Sequence, residues 1–273
     1  MKLSCLPVSF FQEIISGRMK LNEWAGIGAE AGLDAVDLSI LFLPELTPSA
    51  ARAVRHQIQS AGMRVAMLTT YPDFTHPDAT QRQIELDKEC HAVSLAAELG
   101  AELIRVTAGQ AHPETGLEEG TRWAVEGLQR LAERTKGEGV HLVYENHAKP
   151  GAWQYTDFSQ PPAIFLEILS KVENPELGVN FDVGNATAFA DDPLEILEQI
   201  LPRLTSVHAS DTSTRGQLNH TLLGTGLTPY HEIFLRLKRA GWDGWICMEE
   251  ASYRGREGVF LAADFIREAW AKA

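Results

Sequence analysis

The fold is decided by two short segments in the middle of the chain, His141-Leu-Val-Tyr-Glu145-Asn-His147 and Gly178-Val-Asn-Phe-Asp182-Val-Gly-Asn185. Each contains a β-branched and aromatic run of the kind found in buried strands, and each run ends in an acid. Asparagine or glycine residues, which are typical of turns, follow the acid. A strand, a turn and a helix in this order form the unit of a (β/α)8 barrel, where residues at the carboxyl ends of the strands carry the chemistry.

The same alternation runs through the whole chain in units of about 30 residues, the length of a βα unit. Helix signals separate the strands: Thr47-Pro48 is a capping residue followed by proline, and Gly100 ends a long helix that starts at Asp78. The predicted strands cover residues 3–9, 35–40, 64–69, 103–107, 140–145, 178–182, 204–208 and 244–249. With no linker or low-complexity segment, the chain is predicted to be a single (β/α)8 TIM barrel domain over residues 1–273.

Composition excludes several classes of protein. The net charge of -13 disfavours nucleic acid as a partner, because such a field repels phosphate backbones. The three cysteines, Cys5, Cys90 and Cys247, have no paired spacing, which disfavours a disulfide framework or a thiolate zinc site. Neither a signal peptide nor a run of about 18 apolar residues is present, so we expect a cytoplasmic, soluble protein without a membrane partner.

Two later strands also end in side chains that bind metals. Together the four strand ends supply Glu145, Asp182, His208 and Glu249. Three carboxylates and an imidazole in a small volume would repel one another strongly, and a divalent cation removes that repulsion. A mostly oxygen donor set suits Mn²⁺, Mg²⁺ or Co²⁺ better than Zn²⁺. Side chains alternate along a strand, so only one of Glu249 and Glu250 can face the barrel interior.

The ordered set of motifs resembles the xylose isomerase-like barrels, and within them the sugar-phosphate isomerase/epimerase family. The resemblance covers nearly the whole chain, and no single motif is specific. The matching pieces are Tyr144-Glu145-Asn-His147, Phe181-Asp182-Val-Gly-Asn185, Val207-His208-Ala-Ser-Asp211, Leu223-Gly-Thr-Gly226 and Gly244-Trp-Ile-Cys-Met-Glu249.

The resemblance implies that the four groups hold one divalent metal. It selects Glu249 over Glu250, makes Glu145 and Glu249 the acid/base pair on opposite faces of the substrate, and leaves Asp182 and His208 as ligands alone. A metal bound to a ketone and its neighbouring hydroxyl stabilises an enediolate. Carboxylates remove and return the proton. We therefore expect a metal-dependent sugar or keto-sugar isomerase or epimerase. Many relatives form dimers or tetramers, so a homo-oligomer is also expected, although no interface is identifiable.

The chain departs from its relatives at two positions. Asn185 stands where many have a histidine that touches the reacting oxygens, and Ser210 stands where many have a lysine. These departures leave the metal site intact and leave the substrate open.

Six further residues near the strand ends are predicted to contact substrate: His147, Trp153, Asn185, Asp211, Arg215 and His220. Trp153 lies in the long loop after Glu145 and resembles a lid or a sugar-stacking wall, or else seals the barrel rim. Asn185 has a simple turn as its alternative role, and Asp211 has the orientation of His208 as its alternative role. Cations such as Arg215 would suit a phosphate or sugar acid, but a surface salt bridge is the simpler role, as it is for Arg105.

Three rival functions remain open. A metal-dependent lyase or dehydratase acting on a keto-sugar or 3-keto-glycoside would form the same enediolate and then expel a substituent, so its eliminated product would identify it. An endonuclease-like phosphodiesterase would bind three metals and nick abasic DNA. A non-catalytic sugar-binding barrel would be excluded if Glu145→Gln or Glu249→Gln abolished turnover while metal binding remained.

Overall fold

Eight parallel strands form one sheet in the computed structural model, which describes residues 1–273. The order β1-β8-β7-β6-β5-β4-β3-β2 nearly closes a barrel. Next to the gap, the Asp34 amide donates a hydrogen bond to the Leu3 carbonyl at 2.9 Å. The (β/α)8 TIM barrel prediction is thus confirmed. The strands are β1 Lys2–Leu6, β2 Val36–Ser39, β3 Val65–Thr69, β4 Leu103–Val106, β5 His141–Glu145, β6 Gly178–Asp182, β7 Leu204–Ala209 and β8 Trp245–Glu249.

Ten α-helices surround the sheet, and the predicted caps are present. The Thr47 hydroxyl accepts the Ala50 amide, and Gly100 closes its helix with a φ of 74°. The helices are α1 Phe11–Ile15, α2 Leu21–Glu30, α3 Pro48–Ser60, α4 Ala79–Leu99, α5 Leu117–Arg134, α6 Pro162–Lys171, α7 Val183–Phe189, α8 Pro193–Ile200, α9 Tyr230–Arg239 and α10 Gly255–Lys272. No helix has the length and apolar character needed to cross a membrane.

Two local predictions were wrong for identifiable reasons. The first strand stops at Leu6 rather than Ser9, because Pro7 lacks an amide donor and a 3-10 turn follows at once. Asn185 lies in α7 rather than in a turn. Asp182 caps that helix through its carboxylate, so the helix begins at the residue directly after β6.

The alternation of side chains along the strands positions the site. Odd-numbered residues of β8 point into the barrel, where Trp245 and Cys247 pack with Leu103 and Val143. Continuing the same alternation places Glu249 at the carboxyl-terminal end of the interior. One larger apolar cluster fills the space between the sheet and the helices. The barrel is therefore a packed core that ends in polar residues at one mouth.

Candidate metal centre

Four strand-end side chains meet at the carboxyl-terminal mouth of the barrel. One ligand atom from each of Glu145, Asp182, His208 and Glu249 lies within 4.8 Å of the other three. β5 to β8 supply one residue each, so adjacent strands bring the four together. The structure thus assembles the four residues predicted to hold a metal.

Glu145 is fully buried, and its two carboxylate oxygens have different surroundings. Its Oε1 accepts hydrogen bonds from Nδ1 of His208 at 2.7 Å and from the Asn180 amide at 3.1 Å. Its Oε2 lies 2.9 Å from Nε of Arg105, an ion-pair contact in which neither atom has a hydrogen-bond partner. Ser206 in turn donates to the Asn180 carbonyl oxygen at 2.7 Å, which fixes the orientation of that amide.

Arg105 is not the surface cation that the sequence indicated. Its side chain is 1% exposed, donates through Nη1 to the Thr70 carbonyl at 2.9 Å, and packs 4.8 Å from the centre of the Tyr71 ring. The alternation of β4 places Arg105 on the same inward face as Leu103, and this pattern was the signal that could have identified it. A buried arginine is stable here because Glu145 neutralises it.

Asp182 has one occupied and one free carboxylate oxygen. Its Oδ1 accepts the Asn185 amide at 2.6 Å and the Ser210 hydroxyl at 2.8 Å, whereas its buried Oδ2 has no hydrogen-bond partner. The side chain of Asn146 bonds to both backbone groups of Asp182, at 2.8 and 2.9 Å. The carboxylate is therefore fixed in position with Oδ2 left for another ligand.

Glu249 is the acid of the cluster with the most access to solvent. Its side chain is 13% exposed, and its Oε1 lies 3.2 Å from Nδ1 of the buried His208. Glu250 points the other way, where its carboxylate accepts the backbone amide of Ser252 at 2.9 Å. The side chain of Glu249 therefore points into the site, and that of Glu250 does not.

The charges of the cluster indicate that it suits a cation. Burial raises the pKa of Asp182 well above its usual range, and the neighbouring charges of Glu249 and Glu145 raise it further. Burial lowers the pKa of His208, but the charges of Glu145 and Glu249 outweigh burial and raise it well above 6.5. A divalent cation would replace both of these protons. The free Oδ2 of Asp182 and the oxygen-rich donor set therefore fit a bound metal ion.

A cavity of about 430 Å³ lies above the cluster. Its polar lining includes Arg105, His147, Asn185, His220 and Glu249, and its apolar lining includes Leu6, Val8, Phe11, Leu218 and Tyr253. A larger cleft of about 660 Å³ contains the starts of β5, β6 and β7, at the opposite end of the barrel. Because barrel enzymes work at the carboxyl-terminal face, the smaller cavity is the candidate substrate site.

Three of the predicted substrate contacts, His147, Asn185 and His220, line this cavity. Nδ1 of His147 lies 3.8 Å from the buried carboxylate of Asp157. Trp153 is set back from the lining, with its ring centre 6.4 Å from that of His147. Trp153 therefore lies behind His147, which is the residue that lines the cavity.

The structure places Asp211 and Arg215 outside the cavity, in contrast to the predicted substrate contacts. The Asp211 carboxylate accepts four backbone amides at 2.9 to 3.1 Å, which organises its own loop and leaves none of its oxygens free of a partner. The donors are Thr212, Gly224, Gly226 and Thr228. Arg215 donates to the carbonyls of Ala190 and Asp191 at 3.0 and 3.3 Å, so it ties its loop to the end of α7.

Comparison with known proteins agrees with this geometry. The family model "Xylose isomerase-like TIM barrel" matches residues 27–269. Inosose dehydratase of Bacillus thuringiensis (strain Al Hakam) is 25% identical over 204 residues, which are 63% of this chain and 66% of that protein. The chain spans 57% to 66% of the length of the curated relatives it matches.

Two solved structures show the same fold. A D-tagatose 3-epimerase-like protein has a TM-score of 0.80 at 19% identity and covers 99% of this chain and 97% of its own. The IolI protein with a zinc atom bound has a TM-score of 0.81 at 16% identity, and the match covers 100% of this chain and 99% of the IolI chain.

Proposed function

Because the chain belongs to the xylose isomerase-like TIM barrel family, we propose that it is a metal-dependent enzyme acting on a small polyhydroxylated ketone. It moves a proton on the carbon next to the carbonyl group. The observation that carries this proposal is the cluster of four ligand atoms within 4.8 Å of one another, in which Glu249 lines the cavity. A proton-transfer group and a metal site at one cavity are the two requirements of this chemistry.

Glu145, Asp182, His208 and Glu249 would hold the metal. When bound, a divalent cation polarises a carbonyl oxygen and stabilises negative charge that develops on it. The oxygen-rich donor set favours Mn²⁺, Mg²⁺ or Co²⁺, whereas the IolI protein of the same fold carries zinc.

The surroundings of the two glutamates give them different roles. Glu249 is open to the cavity and takes the proton from substrate carbon. Glu145 is fully buried and does not line the cavity, and its ion pair with Arg105 at 2.9 Å keeps it deprotonated. Glu145 therefore acts mainly as a metal ligand, and Glu249 acts as the group that transfers the proton. His147, Asn185 and His220 are placed to orient substrate hydroxyls around Glu249.

The first candidate outcome is isomerisation or epimerisation. In isomerisation the proton moves to the adjacent carbon, and in epimerisation a proton returns to the same carbon from the opposite face. Isomerisation needs only Glu249, since a single carboxylate can carry the proton between neighbouring carbons on one face. Epimerisation needs a second group on the opposite face. Glu145 would have to leave Arg105 to supply it.

The second candidate outcome is dehydration, in which the enolate expels the hydroxyl group on the β-carbon and Glu249 returns the abstracted proton to it, so that water leaves. Two observations favour it. Only one acid of the cluster faces the cavity, and elimination needs only one base. The matched relative is named inosose dehydratase. Phosphodiester cleavage has less support, because the structure contains a single cluster of metal-binding side chains, where the expected endonuclease would need three metals.

The test is incubation of the Mn²⁺-loaded protein with 2-keto-myo-inositol and with D-tagatose in D₂O, followed by NMR. Deuterium on the carbon next to the carbonyl of recovered sugar, or a rearranged sugar, identifies an isomerase or epimerase. An unsaturated product identifies a dehydratase. Glu249→Gln should abolish either signal, whereas Glu257→Gln, an exposed acid of α10, should change neither. Absence of both signals from the wild type for a broad panel of keto-sugars would contradict the proposed function.

A further inference from the structure

Tyr253 combines an unfavourable backbone with an exposed aromatic ring at the cavity. Its φ of 57° is the only positive φ among the non-glycine residues, and 73% of the residue is exposed. A bulky side chain in the left-handed region carries a steric penalty that glycine or asparagine largely avoids. An exposed ring contributes little packing energy to offset that penalty, so stability of the fold does not explain the conformation.

Two loops hold this conformation in place. The Tyr253 amide donates to the Ser9 hydroxyl at 2.8 Å, and the Ser9 amide donates to the Glu250 carbonyl at 2.8 Å. The Ser252 amide donates to the Glu250 carboxylate at 2.9 Å. The loops after β1 and β8 are therefore joined directly beneath the ring. Strain that the surroundings fix in this way is typical of binding and active sites.

The cavity has a polar inner end and a mixed outer part. Glu249 and Arg105 are nearly buried and form the inner end. The outer part carries the exposed polar side chains of Gln12 and Lys149 beside the apolar surface of Val8, Phe11 and Tyr253. A ligand that fits both parts has oxygens at one edge and an exposed set of C–H groups on one face.

We infer that Tyr253 is a specificity-determining residue whose ring packs on the C–H face of a ring-shaped polyhydroxy ketone. The inference rests on the proposed function, and it names the class of substrate as cyclic, either a cyclitol ketone or a sugar in its ring form. The negative face of an aromatic ring attracts the polarised C–H groups of such a molecule, while oxygens at the other edge reach the polar inner end. The constrained backbone of Tyr253 keeps this residue in the cavity lining before substrate arrives.

The test compares Tyr253→Asn, which removes the ring but suits the left-handed backbone, with the control Tyr253→Phe, which keeps the ring. Calorimetry with the Mn²⁺-loaded protein measures the affinity for 2-keto-myo-inositol and for D-tagatose, and thermal unfolding measures stability. We expect Tyr253→Asn to weaken binding about 10-fold, which is the size of one aromatic contact. Its thermal midpoint should be no lower than that of the wild type, and Tyr253→Phe should match the wild type in both measurements.

Two results would overturn the inference: wild-type affinity in Tyr253→Asn, or a lowered thermal midpoint in that variant. Wild-type affinity together with loss of a dimer would assign the ring to a subunit interface. Binding is measured apart from turnover. A wild-type protein that binds these ketones through Tyr253 but converts none would contradict the proposed function and leave the inference standing. One that binds neither ketone would overturn the inference.

Discussion

Nε of Arg105 lies 2.9 Å from Oε2 of Glu145, and both side chains are buried beside the metal-binding cluster. This ion pair supplies one positive charge to a site with three carboxylates. It also distinguishes the two glutamates, because Glu249 is paired with His208 rather than with Arg105 and lines the cavity. Under the proposed function, the pair therefore leaves Glu249 as the acid that exchanges protons with substrate.

Replacing Arg105 should destabilise the metal-free protein, because Glu145 would lose its buried partner. We expect Arg105→Met to lower the free energy of unfolding in EDTA by about 3 kcal/mol. Added Mn²⁺ should then stabilise the variant more than it stabilises the wild type, since the ion supplies the missing charge. Urea unfolding with and without metal measures both effects.

The control Arg134→Met removes an exposed ion pair with Asp87 and should cost less than about 1 kcal/mol. An unchanged free energy of unfolding for Arg105→Met would contradict this account.

Asp182→Asn should separate the metal-binding role of Asp182 from its capping role. The new amide oxygen can still accept the Asn185 amide, and the new amide nitrogen can donate to nearby carboxylates. The free energy of unfolding in EDTA should therefore stay within about 1 kcal/mol of wild type. Affinity for Mn²⁺, measured by calorimetry, should fall by more than about 100-fold. Asp192→Asn makes the same change at the cap of α8, where Asp192 accepts the Leu194 amide, and should leave metal affinity unchanged. Tight metal binding by Asp182→Asn would be inconsistent with the proposed ligand set.

Asp211→Asn should loosen the loop after β7 without removing the metal site. The amide nitrogen would face backbone donors that now bond to a carboxylate oxygen, so we expect a loss of about 1–3 kcal/mol in stability. Hydrogen exchange at the amides of Gly224, Gly226 and Thr228 should become faster, while Mn²⁺ affinity changes by less than about 5-fold. A metal affinity as low as that of a ligand variant would instead give Asp211 a direct part in the site.

The contribution of Glu89 to stability should fall as pH rises from about 4.5 to about 7. Burial raises the pKa of Glu89 from 4.5 to about 7, although a hydrogen bond from Thr70 opposes the change. In this window the folded protein keeps a proton that the unfolded chain releases, and the cost at high pH is about 3 kcal/mol at most. Urea unfolding measures the free energy of unfolding at pH 5 and at pH 8. The loss of this free energy between the two pH values should be smaller for Glu89→Gln than for the wild type. Glu98→Gln, a half-exposed acid of the same helix, should keep the wild-type difference, and an equal difference in all three proteins would refute the assignment.

Much of the fold could be predicted from the sequence because its signals are local. The alternating runs that end at Glu145 and Asp182, and caps such as Thr47, depend on neighbouring residues only. The four strand-end positions also follow from chain order, since equivalent ends of parallel strands meet at one mouth.

The surroundings of the site could not be predicted in the same way, because they depend on distant contacts. The alternation of β4 turns Arg105 inwards, but only the assembled barrel shows that its partner is Glu145. Asp211 looks like a site acid until its loop folds back and surrounds it with four amides. Ser210 stands at a position where relatives differ, and only the structure reveals its hydrogen bond to Asp182.

The most direct test of the central claim is anomalous X-ray scattering from crystals of the protein soaked in Mn²⁺. The proposed ligand set predicts one strong anomalous peak per chain, in contact with Glu145, Asp182, His208 and Glu249. This peak should be lost in crystals of Asp182→Asn. A Mn²⁺ peak at any other place, or no peak at these four side chains, would contradict the proposed ligand set.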